Sequence, residues 1–371
     1  MSVEVRPVDL PGGAQTMMQV WWDVYAGDPH WVPPLRFERK KFLDPKHNPY
    51  FKVADVQCFV AFRDGRPVGT ISAQVDHGYQ RVEDKVGFFG FFEFPDDEGV
   101  ARPLLDAALA WLRGKGMTRA MGPFNFNTNH ECSVLVDGYD SDPLVMMIWN
   151  RPYYPAMYEK LGLAKAKDML AYWMRNDGPV PPRIAALADR FLERHPEVKI
   201  RPMDKGDFEN EVKRVHAIYN SAWEDNWGFV KMTDEEFWFM AHGVKEMIDP
   251  RYCFVAEIAG EAAAFSITLP DYNMVVKPMN GRVLPFGWWH WLTMPKKIDQ
   301  IRVFALGVHK KYQNLALGAP LYKATWDAGV ANKVKGAEAS WILEDNTRMR
   351  GALEKLGAKV YKTYRIYGTP L

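Results

Sequence analysis

The chain has 371 residues, 47% of them hydrophobic and 25% charged, and its 47 basic residues nearly balance its 46 acidic ones. A net charge of +1 gives no strongly basic face, so nucleic-acid binding is not expected as the main function. Cys58, Cys132 and Cys253 lack metal-binding spacing, and we expect neither a disulfide framework nor a metal site.

No apolar stretch has the length of a transmembrane helix, and the first residues do not resemble a signal peptide. The chain is therefore expected in the cytoplasm, either free or in peripheral contact with the inner face of the membrane. Aromatic residues concentrate in "GFFGFFEF" (87–94), which predicts a buried strand, and in "PFGWWHWLTMPKK" (285–297). The second stretch is typical of a surface that meets an apolar ligand or a membrane interface.

The sequence repeats itself at an offset of 195 residues. The matching stretches are "VEVRPVD" from Val3 and "VKIRPMD" from Val198, "CFVAFRDG" from Cys58 and "CFVAEIAG" from Cys253, and "EKLG" from Glu159 and from Glu354. Three matches at one offset indicate two copies of one domain. The turn-rich "RNDGPVPPR" (175–183) marks their boundary. We predict domains at residues 1–176 and 198–371, joined by a linker and helix over 177–197.

Both copies predict the same order of elements. A strand is followed by helical segments, further strands, a helix, a strand, the short "EKLG" helix and a closing strand. The predicted fold class is α+β, with mixed, mostly antiparallel sheets. The copies differ in their loops: residues 122–143 are extended in the first copy, and residues 271–292 are inserted in the second. Such loops on a rigid scaffold are where function is expected.

The stretch "IRVFALGVHKKYQNLALGAPLYKATW" (301–326), together with the "EKLG" helix, resembles the GCN5-related N-acetyltransferase (GNAT) fold. The acyl-CoA loop of that family reads Gln or Arg, two residues, Gly, one residue, then Gly or Ala. This chain has Ala316 in place of the first glycine. "VGFFGFFEF", "WNRPYYPAMYEKLG", "AWEDNWGF" and "LPDYN" extend the resemblance to the bacterial ceramide synthases, a group of tandem GNAT proteins that join an acyl-CoA to the amine of a sphingoid base.

The resemblance implies an N-acyltransferase that uses acyl-CoA and no metal, with the amine attacking the thioester directly. Its partners would be a long-chain acyl-CoA and a sphingoid-base amine. Amide groups at a helix N-terminus favour a phosphate, and the donor would therefore contact the second copy. The expected donor-binding residues are Gly307, Val308, Gln313, Asn314, Leu315, Ala316, Leu317, Gly318, Ala319 and Asn346, the last of which could instead cap a helix.

The first copy has Asp96, Asp97 and Glu98 where the phosphates would bind. These carboxylates would repel the phosphates, by roughly 1 kcal/mol or more per close pair. Coenzyme A is therefore expected in the second copy only, and the first copy is expected on the acceptor side. The tyrosine that many relatives place before "EKLG" to protonate the thiolate is Tyr158 in the first copy but Leu353 in the second.

The amine must lose a proton before or during attack. The candidate catalytic residues are Asp271, Glu224 and Asn273, and Asp271 is favoured because it directly follows an apolar strand. The candidate acceptor or lipid contacts are Asn226, Trp227, Trp288, Trp289, Glu131 and Tyr153. For each acidic residue the alternative is a turn or a surface ion pair.

Two other functions stay open at this point. One is acetylation of a small polar amine through the same loop. The Trp-rich insertion distinguishes this function from lipid acylation, because such an enzyme should tolerate replacement of Trp289 by alanine, whereas a lipid enzyme should lose turnover on long chains. The other is binding of acyl-CoA or lipid without catalysis, which the departures at Ala316 and Leu353 would allow.

Overall fold

The structure is a computed structural model that describes residues 3–176 and 178–371. Residues 1 and 2 of the predicted first domain and residue 177 of the predicted linker lie outside the described residues. The two halves share the order of elements that the repeated sequence predicts, except that the first half has three additional short strands and the second has two additional short helices.

The first half contains nine strands and four helices within the described residues. The strands are β1 (Val3–Val8), β2 (Ala54–Arg63), β3 (Arg66–Asp76), β4 (Val86–Glu93), β5 (Arg119–Gly122), β6 (Phe124–Asn125), β7 (Glu131–Cys132), β8 (Val134–Asp137) and β9 (Ala164–Arg175). The helices are α1 (Ala14–Val24), α2 (Arg36–Phe42), α3 (Glu98–Gly114) and α4 (Tyr154–Lys160).

Helix α5 (Pro182–Arg194) leads into the second half. The strands of that half are β10 (Val198–Pro202), β11 (Cys253–Ile258), β12 (Glu261–Pro270), β13 (Gln300–Val308), β14 (Gly336–Leu343) and β15 (Lys359–Pro370). Its helices are α6 (Phe208–Ala222), α7 (Asp234–Val244), α8 (Asn273–Val276), α9 (Gly287–Thr293), α10 (Gly318–Ala331) and α11 (Thr347–Lys355).

One mixed sheet of thirteen strands runs through both halves of the described chain. Its order is β1-β2-β3-β4-β5-β15-β9-β14-β13-β12-β11-β10, with β8 pairing β15 outside that path. Only the pairs β4–β5 and β13–β14 are parallel within it. The predicted α+β class with a mixed, mostly antiparallel sheet is therefore confirmed.

The last strand of each half is exchanged. Strand β9 of the first half pairs with β14 of the second, β15 of the second half pairs with β5 of the first, and β9 and β15 pair with each other. The sequence predicts one sheet for each copy, whereas the structure joins the two sheets into one through these strands.

Each parallel pair splays open after a few residues. Strand β4 pairs with β5 from Val86 to Phe88, and β13 pairs with β14 from Gln300 to Val303. An irregularity in the neighbouring antiparallel register follows in each half, between Thr70 and Ser72 on β3 and between Ile267 and Thr268 on β12. The remainder of β4 and of β13 therefore has one open edge, on the side of its parallel partner.

The core forms where helices turn an apolar stripe toward the sheet, and α3 is an example. On α3, Val100, Leu104, Ala108 and Leu112 recur at helical spacing, are buried and belong to one hydrophobic cluster with Phe89 of β4. The sheet and its helices thus provide a rigid frame for the loops that carry polar side chains.

Candidate active site

A cavity of about 260 Å³ lies at the open end of the β4–β5 pair. Its wall is mostly aromatic and aliphatic, with contributions from Trp21, Trp31, Phe92, Met147 and Trp149 in the first half and from Tyr272, Asn273 and Val276 in the second. Its polar lining includes Glu93, Arg39, Asn125 and Glu131. A concave, largely apolar site with a few convergent polar groups is the usual form of a small-molecule site.

Glu93 ends β4 and points a carboxylate into this cavity. Two hydroxyls donate to it, Tyr25 after α1 at 2.8 Å and Tyr154 of α4 at 2.6 Å. The pKa of Glu93 is raised to about 7, because the effect of burial is larger than the lowering caused by the hydrogen bonds from the two hydroxyl groups. A carboxylate with such a pKa can accept a proton near neutral pH and release it again.

Glu131, a predicted acceptor contact, lies in the same cavity wall. The Arg39 guanidinium of α2 holds it with two bonds of 3.0 and 2.6 Å, and Asn125 donates to it at 3.2 Å. Burial alone would raise the pKa of Glu131, but Arg39 keeps it below its ordinary value. The negative charge of Glu131 is therefore compensated within the protein, whereas Glu93 is absent from the ion pairs of the described chain.

In the first half, the places where an acyl-CoA would bind are already occupied. The Asp97 carboxylate caps α3 and pairs with Arg63 at 2.6 Å. Beyond the irregularity in β4, the N–H of Phe94 donates to the Tyr154 hydroxyl at 3.3 Å, and its carbonyl accepts from the Tyr153 hydroxyl at 2.6 Å. Tyr153, a predicted acceptor contact, thus closes this edge and is not part of the cavity wall.

The corresponding loop of the second half is free of such caps. No hydrogen bond is found within the described chain for the backbone N–H groups of Asn314, Ala316 and Leu317, and α10 begins at Gly318 with no side-chain cap. Unpaired N–H groups at the start of a helix are suited to a phosphate. In the predicted stretch from Gln313 to Ala319, which we call the cradle, the N–H groups of Asn314, Ala316 and Leu317 are thus open, whereas those of Gln313, Leu315 and Ala319 donate to carbonyls of the same loop.

The remaining predicted donor contacts have partners inside the protein. A Cβ on Gly307 would lie 2.9 Å from the Trp223 ring, so the glycine lets that ring pack on β13. The Val308 carbonyl accepts weakly from the Gln313 side chain at 3.5 Å. Asn346 caps α11 by accepting from the Met349 N–H at 3.1 Å.

Two predicted catalytic residues hold a segment of the first half, residues 138–149, which we call the clasp. Asp271 accepts from the Val145 N–H at 2.9 Å, and Asn273 donates to the Pro143 carbonyl at 2.8 Å. The buried Arg302 guanidinium donates to the Val145 carbonyl at 3.0 Å. Burial raises the pKa of Asp271 to about 7. Asn273 reaches the cavity wall, whereas Asp271 lies outside that wall, 5% exposed.

Glu224, the third catalytic candidate, is an ion-pair partner at the donor loop. Lys310 lies 2.5 Å and Lys231 3.2 Å from its carboxylate, and both hold its pKa below the ordinary value. Asn226 is in the turn after α6, where its N–H donates to the Trp223 carbonyl at 2.9 Å. Neither residue is part of the cavity wall.

The predicted tryptophan contacts lie in different environments. The Lys167 ammonium lies 5.4 Å from the ring centre of Trp227, which packs against a buried cluster. Trp288 and Trp289 are on α9 and are 43% and 58% exposed. They face solvent and do not line the cavity.

The sequence analysis missed Glu93, Tyr25 and Arg39. A signal for Glu93 was present, because a single acidic residue ends the otherwise apolar "VGFFGFFE". Tyr25 and Arg39 gave no comparable signal, since their importance depends on partners 68 and 92 residues away.

No group of three or more His, Cys, Asp or Glu side chains in residues 3–176 and 178–371 is arranged to hold a metal ion. A search of the same residues for a helix long and apolar enough to cross a membrane found none.

The duplicated fold with its two splayed pairs defines a tandem GNAT protein. It is similar to a tandem GNAT protein from the clavulanic acid biosynthesis pathway, with a TM-score of 0.59, 14% identity and coverage of 99% of this chain and 98% of that one. It is also similar to the GCN5-related glucosamine N-acetyltransferase region of a fungal multi-domain β-N-acetylglucosaminidase, with a TM-score of 0.57, 16% identity and coverage of 99% and 38%. At these identities the likeness shows the fold alone.

Sequence comparison defines the family. The chain is 38% identical over 376 residues to the bacterial ceramide synthase of Caulobacter vibrioides, covering 99% of this chain and 97% of that protein. It is 37% identical over 352 residues to protein YghO of Escherichia coli, covering 93% and 89%. The chain belongs to the family of the bacterial ceramide synthases and is an acyltransferase. The predicted family resemblance is confirmed, although no protein-family profile matches the chain.

Proposed function

We propose that this acyltransferase transfers a long-chain acyl group from acyl-CoA to the amine of a sphingoid base. The observation that carries the proposal is the cavity, which joins an apolar wall to the buried carboxylate of Glu93, held there by two tyrosine hydroxyls. Support comes also from the relative named bacterial ceramide synthase, which matches this chain almost from end to end. Because such an amine is a lipid, the proposal includes peripheral contact with a membrane.

In this proposal the donor binds the second half. The pyrophosphate occupies the cradle from Gln313 to Ala319, and the pantetheine arm lies along the open edge of β13 near Gly307 and Val308. The capped start of α3 and the occupied backbone groups of Phe94 argue against the equivalent place in the first half. The charge of Asp97 would further weaken the binding of a phosphate there.

The acceptor binds in the cavity. A protonated amine is attracted to the Glu93 carboxylate, which takes up its proton and leaves the amine neutral and nucleophilic. Glu131, held by Arg39 and Asn125, is the proposed contact for hydroxyl groups beside it, and the apolar wall receives the hydrocarbon chain. The apolar wall also argues against a small polar amine as the substrate.

The clasp connects the two sites. Val145 and Met146 line the cavity and also share a hydrophobic cluster with Phe304 and Ala305 of β13. The clasp therefore lies between the cavity and the strand along which the donor is proposed to lie, and it contacts both. The amine attacks the thioester carbon directly, the C–S bond breaks, and coenzyme A leaves as a thiolate. That departure is easy because a thiol has a pKa near ~8.5.

The experiment is thiol release by the purified protein, with the amide product identified by mass spectrometry. Long-chain acyl-CoA is offered with and without sphinganine, and acetyl-CoA with a small polyamine is the contrast. We expect release that needs the long-chain pair. Release with the short pair alone would refute the lipid assignment and keep the acyltransferase, and no release with either would refute both proposed substrates.

A further inference from the structure

Large apolar side chains are exposed together on one short stretch. Leu284, Phe286, Trp288, Trp289 and Leu292, which we call the ridge, are 74%, 78%, 43%, 58% and 65% exposed. They are five of the ten large hydrophobic side chains that are exposed in the described chain, and they lie within nine residues. Isolated exposed apolar residues are ordinary, but a contiguous patch marks an interaction surface.

The opposite side of this stretch is fixed to the protein body. Val283, Trp291 and Met294 pack on a buried cluster formed by Leu35, Val275 and Met279. The backbone N–H of Arg36 donates to the Gly281 carbonyl at 3.0 Å, and the Trp22 indole donates to Asn280 at 2.9 Å. The ridge is therefore the outward face of a packed element, and its exposure follows from that packing.

The charges within the segment that carries the ridge have one sign. Between Asp271 and Asp299 the sequence has no acidic residue, but it has four basic ones. Arg282, Lys296 and Lys297 take part in no ion pair within the described chain, and the two lysines directly follow the helix that carries the tryptophans. Tryptophan beside basic residues matches a bilayer surface, where indole rings lie among head groups and lysines meet anionic phosphates.

We propose that the ridge docks this protein on a bilayer that contains anionic lipid, and that the segment 272–298 links the bilayer to the cavity. The same segment contributes Tyr272, Asn273 and Val276 to the cavity wall, so its outer face meets the lipid and its inner face lines the site. The link to the cavity rests on the proposed function, because it requires a lipid substrate. Docking itself does not.

A second copy of this chain fits the ridge less well. A symmetric dimer would place the same patch of both copies together. Arg282, Lys296 and Lys297 would then approach their own counterparts, and like charges at an interface oppose association. An anionic bilayer instead provides the complementary charge along with an apolar interior.

The experiment is co-sedimentation with vesicles of phosphatidylcholine alone and of phosphatidylcholine mixed with phosphatidylglycerol, without substrate. We expect binding to the mixed vesicles, reduced about tenfold or more by F286S/L292S, because the depth of apolar burial sets interfacial affinity. K296Q/K297Q should reduce binding to the mixed vesicles several-fold, because it removes the attraction of two lysines to anionic lipid and each 1.4 kcal/mol of lost attraction lowers affinity about tenfold. The matched control L187S/V330S replaces exposed apolar residues of α5 and α10 and should bind like the wild type.

Several outcomes would overturn the docking proposal. The proposal is wrong if the wild-type protein binds neither kind of vesicle, or if F286S/L292S binds vesicles as strongly as the wild type. A dimer that forms with concentration and is lost in F286S/L292S, without vesicle binding, would assign the ridge to a second copy.

The link to the cavity has its own readout, which is thiol release with two forms of sphinganine. F286S/L292S should match the wild type on detergent-dispersed sphinganine and fall behind it on vesicle-borne sphinganine. Equal rates on vesicles would refute the link. Vesicle binding by a wild type that releases no thiol in either form would leave docking standing and refute the proposed function.

Discussion

Replacing Glu93 by glutamine should lower activity and raise stability. The loss of activity follows from removing the proposed proton acceptor, and positioned acid–base groups contribute about 10²- to 10⁴-fold in rate. That range corresponds to about 2.7 to 5.4 kcal/mol of transition-state stabilisation. Glutamine keeps an oxygen that accepts from the hydroxyls of Tyr25 and Tyr154, so the geometry of the site should survive.

The gain in stability follows from the pKa of Glu93. Burial moves that pKa from 4.5 to about 7. The native state therefore holds the proton more tightly than the unfolded state, and the free energy of unfolding falls as the pH rises from 4.5 through 7. A pKa raised from 4.5 to about 7 costs on the order of 3 kcal/mol of stability above pH 7. A neutral glutamine avoids this cost.

The assay combines the rate of thiol release and the thermal unfolding midpoint, each measured from pH 5 to pH 8. Wild-type turnover should rise up to about pH 7 and then level off, and E93Q should lose that rise. The midpoint of E93Q should exceed that of the wild type at pH 8 and approach it at pH 5.

The matched control is E131Q in the same cavity, which should be less stable than the wild type because it leaves the buried Arg39 without its partner. Unchanged activity in E93Q, or a lower midpoint at pH 8, would refute the assignment of Glu93.

Three further predictions test the other placements. N314D puts a carboxylate in the exposed donor loop and should weaken the binding of coenzyme A about five- to tenfold in a calorimetric titration, since one close charge pair near a surface is worth ~1 kcal/mol or more. The control D97N should leave that affinity unchanged. The reverse pattern would place the donor in the first half. D271N keeps an acceptor oxygen for the clasp and should retain turnover within about threefold, whereas loss of catalysis in a folded variant would assign proton transfer to Asp271. E224Q releases Lys310 and should tighten coenzyme A up to about threefold at low salt, an effect that added salt should remove.

The parts of the fold that local patterns determine could be predicted. The repeated strands from Val3 and Val198 are β1 and β10, and those from Cys58 and Cys253 are β2 and β11, each close to its expected place. The exchange of β9 and β15 could not be predicted. Both strands belong to copies of one domain, so either could complete either half, and the choice depends on pairing between residues more than a hundred positions apart.

The site was predictable to a smaller extent. Glu131 drew attention because it lies in a loop that only one copy extends, and the cradle from Gln313 followed from a motif of consecutive residues. Glu93 was missed because its environment depends on Tyr25 and Tyr154, which are 68 and 61 residues away along the chain. The pKa of a carboxyl group is set by neighbours in space, which a single sequence does not reveal.

The exchanged strands also constrain the order in which the chain can fold. Strand β5 finishes at Gly122, yet its partner β15 begins only at Lys359. Through most of synthesis, the first half therefore has an unpaired sheet edge beside β5. Strand β9 likewise stays unpaired until its neighbours β14 and β15 have been made. The amino-terminal copy is made first but completed last, so the two copies must reach their native state as one cooperative unit.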